Sequence, residues 1–352
     1  MRKTNAVRLG LTFAGCFLGA GYVSGQELWQ FFGSFGKNGI FGLVTAMLLL
    51  FVIGIIMILL NRATGICEVD KLVVRKDIKV LRYAVAVLEL LFLFGVCVIM
   101  AAGVGALLEQ LFGVPLWVGA AVFTVVVALV SMKGLGGMVS AFSATVPVLA
   151  GVTLIFGIMS VVQHGFALPA VSDSGSNPLM SSWLVAAVSF ACYNVFGSIA
   201  MVSPLGTSVK SGKSGILGIA IGTLILLMIA GSVLVSVSAY PGVTEAELPM
   251  LALASGMSGA LGLVYGFLLL LAMFGTALSS MVAFTGFLSL KSEKINSRKS
   301  LFTAVCAVAM FLGSLFGFGD LISVIYPLFG YCSSVFIVLM AVHYIKVRRV
   351  KV

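Results

Sequence analysis

Charge is what this sequence has least of. Asp, Glu, Lys and Arg make up 9% of its 352 residues, where a soluble domain carries about a quarter. With 61% hydrophobic residues, a fold in water would have too little polar surface to cover itself. Lipid is the solvent that suits such a composition, because a helical span takes about 20 predominantly apolar residues. The ten-residue alternations of a transmembrane β-barrel are also missing, and the apolar runs are long and unbroken. Only two histidines are present, His164 and His343, and they fall at opposite faces of the membrane. The six cysteines (Cys16, Cys67, Cys97, Cys192, Cys306, Cys332) form no CxxC pair and read as small apolar packers, not disulfides or metal ligands. No HExxH, P-loop or nucleophile elbow occurs. A membrane enzyme would need His, Asp or Cys clustered at one depth, and the sequence offers no such cluster. Between the apolar runs no stretch is long enough to fold as a soluble domain.

What is there is a ladder of ten apolar stretches, at roughly 8–35, 39–60, 81–109, 115–131, 138–161, 182–206, 214–238, 259–289, 300–317 and 321–344. Several exceed the length needed to span, which implies tilt or a break. Met1-Arg2-Lys3 before an apolar run imitates a signal peptide, but no small-residue cleavage site follows, so the run is expected to be span 1. With the N-terminus inside, the cytoplasmic segments hold 20 of the 21 Lys and Arg residues, and only Lys37 lies outside. The outer loops are instead mildly acidic, with Asp173, Glu245, Glu247 and Asp320. The positive-inside rule therefore predicts both termini in the cytoplasm and an even number of spans. The same topology accounts for the formal charge of +10, which in a soluble protein would suggest nucleic acid. The expected protein is an all-α, polytopic, multi-pass protein of the inner (cell) membrane, a single transmembrane domain over 1–352. Repeat one covers about 8–161 and repeat two about 182–344. Five spans per half insert the second half upside down. The expected partners are the bilayer and a small-molecule substrate, with no nucleic acid and no obligate protein partner.

Two spans are unusual in corresponding places. Span 1, FAGCFLGAGYVSGQELWQFFGSFG, holds Gly15, Gly19, Gly21 and Gly25. Span 6, VSFACYNVFGSIAMVSPLG, holds Asn194 and Gly197 at mid-span and Pro204 below. Glycine costs about 1 kcal/mol per helix position relative to alanine. Matched glycine-weakened spans in two halves point to broken helices lining a transport site, because loose peptide groups are tolerated in lipid only where they line a cavity or bind something. The alternative is close helix packing. Ser24-Gly25-Gln26-Glu27 fits a capping box. Glu27 then either folds back onto its own helix start, or carries a proton or meets a cationic group, since intramembrane acids are expensive. Glu89 in span 3 is a buried proton site or pairs with a cytoplasmic-side base. Thr276, Ser279 and Ser280 share one face of span 8. They suit a small hard cation or bond back to their own helix. Tyr326-Pro327 predicts a kink in span 10, Asp320 is expected to cap that span, and residues 241–258 are expected to hold a short outer helix.

These motifs resemble the leucine-transporter fold of the amino acid–polyamine–organocation superfamily. GAGYVSGQE of span 1, MAAGVGALLEQLFG ending span 3 and CYN…SPLG of span 6 are similar to the YkvI-like membrane proteins, a permease group, over nearly the whole chain. The resemblance implies ten helices in two inverted repeats with spans 1 and 6 broken. It also implies that Gly15 and Leu18 offer backbone carbonyls to a sodium ion, completed by Thr276, Ser279 and Ser280. Some proton-coupled relatives fill that position with a Lys from span 5. Span 5 here has none, which favours an ion. Tyr22 stands where a second sodium site needs Asn, so one sodium is expected and no other cofactor. The implied function is secondary active transport of an amino acid or related solute by alternating access. Backbone N–H groups at Gly19, Ala20 and Gly21, with Ser24, would take a carboxylate. Glu27, Met100, Gly103, Tyr193, Asn194 and Gly197 would line the pocket. The rivals are proton coupling through Glu27 and a non-transporting receptor on a permease scaffold, which the short loops disfavour. If the span 8 hydroxyls hold sodium, Ser279→Ala combined with Ser280→Ala abolishes the sodium dependence of uptake and of thermal stability; an unchanged sodium response removes the ion site.

Overall fold

The computed structural model describes residues 5–74, 78–133, 145–170, 177–240 and 242–350. Among these the only regular elements are helices. In chain order they are α1 (Ala6–Phe17), α2 (Ala20–Ser24), α3 (Gln26–Leu28), a π turn (Trp29–Gly33), α4 (Lys37–Thr64), α5 (Val69–Val73), α6 (Lys79–Phe112), α7 (Leu116–Met132) and α8 (Thr145–His164). After these come α9 (Trp183–Thr207), α10 (Gly212–Ala239), a 3-10 turn (Val243–Glu245), α11 (Pro249–Met257), α12 (Gly259–Lys291), α13 (Glu293–Ser297), α14 (Lys299–Ser314) and α15 (Phe318–Val350). Six of them, α4, α6, α9, α10, α12 and α15, are long and apolar enough to cross a membrane, and four shorter apolar helices accompany them. The start of the expected fifth span, 138–144, lies outside the described residues. The expected outer helix is α11.

The first span does not run as one helix. α1 stops at Phe17, and the chain resumes helical geometry only at Ala20. Leu18 N–H still reaches Ala14 O at 3.2 Å, while Gly19 N–H turns back to Phe17 O at 2.7 Å. A second interruption falls at Gly25, whose φ of +88° is left-handed and open to glycine without strain.

The expected break in span 6 is absent. α9 continues from Trp183 to Thr207 through Asn194 and Gly197. A Cβ at Gly197 would lie 2.5 Å from the Phe92 ring of α6, so this glycine exists to admit a neighbouring helix. Asn194 Nδ2 donates to Phe190 O of its own helix at 3.0 Å. Pro204 sits in the last turn, where the helix is about to end.

The same small-residue packing joins the two halves. α1 lies along α10 and against α9. A Cβ on Gly10 would meet Gly218 O at 2.7 Å, and one on Gly222 would meet Gly10 O at 2.7 Å. Glycines four apart on α10 thus let two backbones touch, which is how helices associate without a hydrophobic drive between them. α9 packs on α4 and α15, and α12 packs on α6, α11 and α7.

Asp320 does not cap α15. That helix begins at Phe318 after a left-handed Gly317, which leaves Asp320 inside the first turn. Its cap comes from another part of the chain: Glu247 Oε2 accepts from Gly319 N–H at 2.5 Å. Pro327 lies within α15, with Ser189 Oγ of α9 donating to its carbonyl at 3.4 Å.

Gly222→Val should force α1 off α10 and lower stability by about 1–3 kcal/mol, the usual range for overpacking. Gly231→Val, on the same helix with open space at its Cβ, should change it far less. Thermal unfolding of both variants in detergent checks the comparison.

Candidate functional site

The interrupted span carries one acidic side chain, and the interruption decides where it points. Gly25 breaks the helical register between α2 and α3. The carboxyl of Glu27 therefore does not fold back to complete a capping box; Oε1 accepts a hydrogen bond from the Tyr193 hydroxyl on α9. Ser24 is the last residue of α2, not the cap of the next helix. Its hydroxyl donates to Gly21 O at 3.1 Å and accepts a long contact of 3.4 Å from Gln26 N–H. Gly21 supplies the seat: a Cβ there would stand 2.7 Å from Glu27 Oε2.

Around this carboxylate the side chains are aromatic or neutral. Tyr193 stacks on Tyr326 of α15 with centroids 4.8 Å apart and planes 18° apart. Phe31 and Phe190 flank Tyr193, each with its centroid 5.8 Å away. The phenols of Tyr22 and Tyr326 and the Asn194 amide are the other polar groups near the Glu27 carboxyl. Tyr22 is itself anchored, donating to Leu226 O on α10 at 2.7 Å. Glu27 is 4% exposed. The structure thus joins Gly21, Glu27, Tyr193 and Asn194 of the expected set. It adds Tyr326, legible in the sequence only as the neighbour of a proline, and Tyr22, legible only as a substitute for Asn.

Other expected residues sort differently. Gly15 and Gly19 face open space, with nothing within 4 Å of a Cβ at either. Ala20 is fully buried. Met100 is buried, and Gly103 packs tightly: a Cβ there would lie 2.9 Å from Met273 and from Phe318. These α6 residues meet α12 and α15 instead of forming an open wall. The five expected ion ligands are divided. Gly15 lies on α1 and Leu18 caps its C-terminal end, and α1 rests on α10 and α9, whereas Thr276, Ser279 and Ser280 belong to α12, which meets the first span through α2. Ser279 Oγ donates to Thr276 O at 3.0 Å, the back-bonding arrangement.

Both ends of the bundle carry polar devices. At one end, Gly319 is gripped from three sides. Glu247 holds its N–H, Gln30 Nε2 donates to its carbonyl at 2.9 Å, and a Cβ on it would lie 2.6 Å from Gln26 Nε2. Gln110 Nε2 of α6 donates to Leu248 O at 3.3 Å. Burial pushes the Glu247 carboxyl above the ordinary carboxylate range; the Gly319 N–H pulls it down, and Asp320 and Glu109 add to the rise. At the opposite end a cavity of about 460 Å³ is lined by Lys71, Lys79, Arg82, Glu89 and Lys291 among others. There Arg82 Nε donates to Asp70 at 2.7 Å, and Lys71 pairs with Glu68.

The chain is 28% identical over 337 residues to the uncharacterized membrane protein YkvI of Bacillus subtilis (strain 168), covering 95% of each chain. It is 25% identical over 256 residues to the uncharacterized protein YyaD of the same organism, 69% of each. No family model matches. Its fold is that of Mhp1 in an inward-facing conformation, at a TM-score of 0.63 and 16% identity over 99% of this chain and 78% of that one. A manganese transporter of Eremococcus coleocola matches at 0.56 and 12% identity, over 96% and 85%. The likeness to YkvI and to the leucine-transporter fold therefore holds across the chain, and both solved structures are of transporters.

Removing the acceptor in Glu247→Ala should leave Gly319 N–H unpaired and cost about 1–2 kcal/mol. Glu245→Ala, at an exposed position, should stay within about 0.5 kcal/mol of the parent. Unfolding midpoints of the two variants check the difference.

Proposed function

We propose that the chain is a secondary active transporter of a small organic solute, working by alternating access across the inner membrane with both termini cytoplasmic. One observation carries this reading: a helix interrupted at Phe17–Ala20 holds a buried carboxylate, and that carboxylate is bonded to a helix of the other half of the chain. An interruption at mid-span exposes peptide groups that hydrocarbon cannot satisfy. A buried acid is equally expensive. The two together are reasonable only around a site that something occupies. The six long helices and four shorter apolar ones support a count of ten, in two inverted halves of five. The first half would consist of the interrupted span, α4, α6, α7 and α8; the second would consist of α9, α10, α12, α14 and α15.

In this reading Glu27 and Tyr193 face each other across the two halves, and Gly15 and Gly19 border the path of the solute. Sodium would bind when α1 docks against α12, bringing the Gly15 and Leu18 carbonyls to Thr276, Ser279 and Ser280. An amino acid or related compound is the substrate suggested by fold analogy alone. A second coupling mode is favoured by the Glu27–Tyr193 bond itself: a carboxyl shared between the halves can carry a proton as it changes partners.

Counterflow into liposomes bearing the purified protein tests transport. Accelerated exchange of at least one amino acid or amine is expected, with a sodium gradient driving accumulation. Accumulation driven by a pH gradient and abolished in Glu27→Gln would replace sodium with the proton. Saturable binding without exchange would convert the reading to a receptor.

A further inference from the structure

The sequence suggests that a substrate carboxylate is the anchor, held by backbone N–H groups near Gly19. The structure commits two of the expected groups elsewhere. Gly19 N–H is already used by Phe17 O at 2.7 Å. The Ser24 hydroxyl is fully buried and donates to Gly21 O. The helix that would point its positive end at an anion, α2, is only five residues long. What stands there instead is an acidic side chain: the Glu27 carboxyl, with a tyrosine hydroxyl, an amide and aromatic rings around it.

We propose that the solute is anchored by a cationic nitrogen on Glu27, beside the stacked rings of Tyr193 and Tyr326, and that a carboxylate on the solute is not required. This rests on the transport reading above and names the chemistry of its substrate. The two ion pairs recorded among the described residues, Lys71–Glu68 and Arg82–Asp70, both lie at the cavity end of the bundle. A buried carboxyl among neutral partners either holds a proton or meets a positive charge, because an uncompensated buried ion is strongly destabilising. An ammonium group supplies that charge and up to three donors. Aromatic faces within about 6 Å add cation–π attraction that a neutral or anionic solute does not receive. The stacked Tyr193–Tyr326 pair brings a ring from α9 and a ring from α15 to the carboxyl of α3. A ligand there touches three helices at once. Open space also lies beside Gly15 and Gly19 on the same interrupted span.

The test is a thermal-shift titration of the full-length protein in lipid nanodiscs at fixed pH and ionic strength. The probes are matched triplets: phenethylamine, L-phenylalanine and N-acetyl-L-phenylalanine; isoamylamine, L-leucine and N-acetyl-L-leucine; and putrescine as a compact diamine. Amines and free amino acids should raise the midpoint, while the N-acetylated acids, which keep the carboxylate and lose the cation, should not. Glu27→Gln, which keeps the shape of the site, should weaken amine binding by roughly ten- to a hundredfold, as for loss of a charge-assisted hydrogen bond. Tyr193→Phe keeps the ring and frees Glu27 Oε1, so the amine shift should persist or grow, and this variant serves if Glu27→Gln fails to fold. A shift with N-acetylated acids equal to that of their parents overturns the proposal. So does an amine shift undiminished in a monodisperse Glu27→Gln, or the absence of a shift with every amine. Glu27-dependent amine binding without counterflow would sink the transport reading and keep the anchor. Counterflow of anionic solutes alone would sink the anchor and keep transport.

Discussion

A peptide group in hydrocarbon must find its partner within its own helix, and the whole molecule is arranged around the few places where it does not. The longest helices obey: α4, α6, α10 and α12 each run for 28 residues or more without interruption. Against that background the segment from Phe17 to Gly33 stands apart, with a gap at Leu18–Gly19, a left-handed Gly25 and a π turn. Such a segment survives only where neighbouring helices enclose it. Here α9, α10 and α15 do so, through the Tyr193, Tyr22 and Gly319 hydrogen bonds.

The enclosure depends on glycine in a second capacity. Where α1 meets α10, the Gly10, Gly218 and Gly222 backbones come into contact. Helix association in lipid has no large hydrophobic term to draw on, so close approach and dispersion must supply it. The short half-helix is thereby held by a partner that has no side chains in the way. One residue type thus opens a helix at one level of the span and cements it at another.

This double use explains what could be read from the sequence and what could not. The all-helical, many-span architecture follows from hydropathy, because lipid imposes one simple requirement on each span. The interruption of span 1 was legible because four glycines fall within eleven residues. Span 6 misled, because a glycine that breaks a helix and a glycine that admits Phe92 look identical in the string, and Phe92 is over a hundred residues away. The same distance hid the partner of Glu27. Ser24 and Glu27 have the spacing of a capping box, and only the left-handed turn between them sends the carboxyl elsewhere. Asp320 failed as a cap for a related reason: local sequence favoured it, but Glu247 arrives from the other side of the bundle.

That last contact bears on how the chain tolerates change in length. Gly319 is hemmed in by Gln26 and Gln30 from the first span and by Glu247 from the segment between α10 and α11. The stretch from Tyr240 to Glu247 must therefore span a fixed gap and deliver its carboxylate in register. An added or deleted residue there would slide Glu247 past its target, even though the segment is a connection between helices and connections usually absorb such edits. In this chain one connection is a measured spacer, and its arithmetic is set by a glycine that belongs to a different helix.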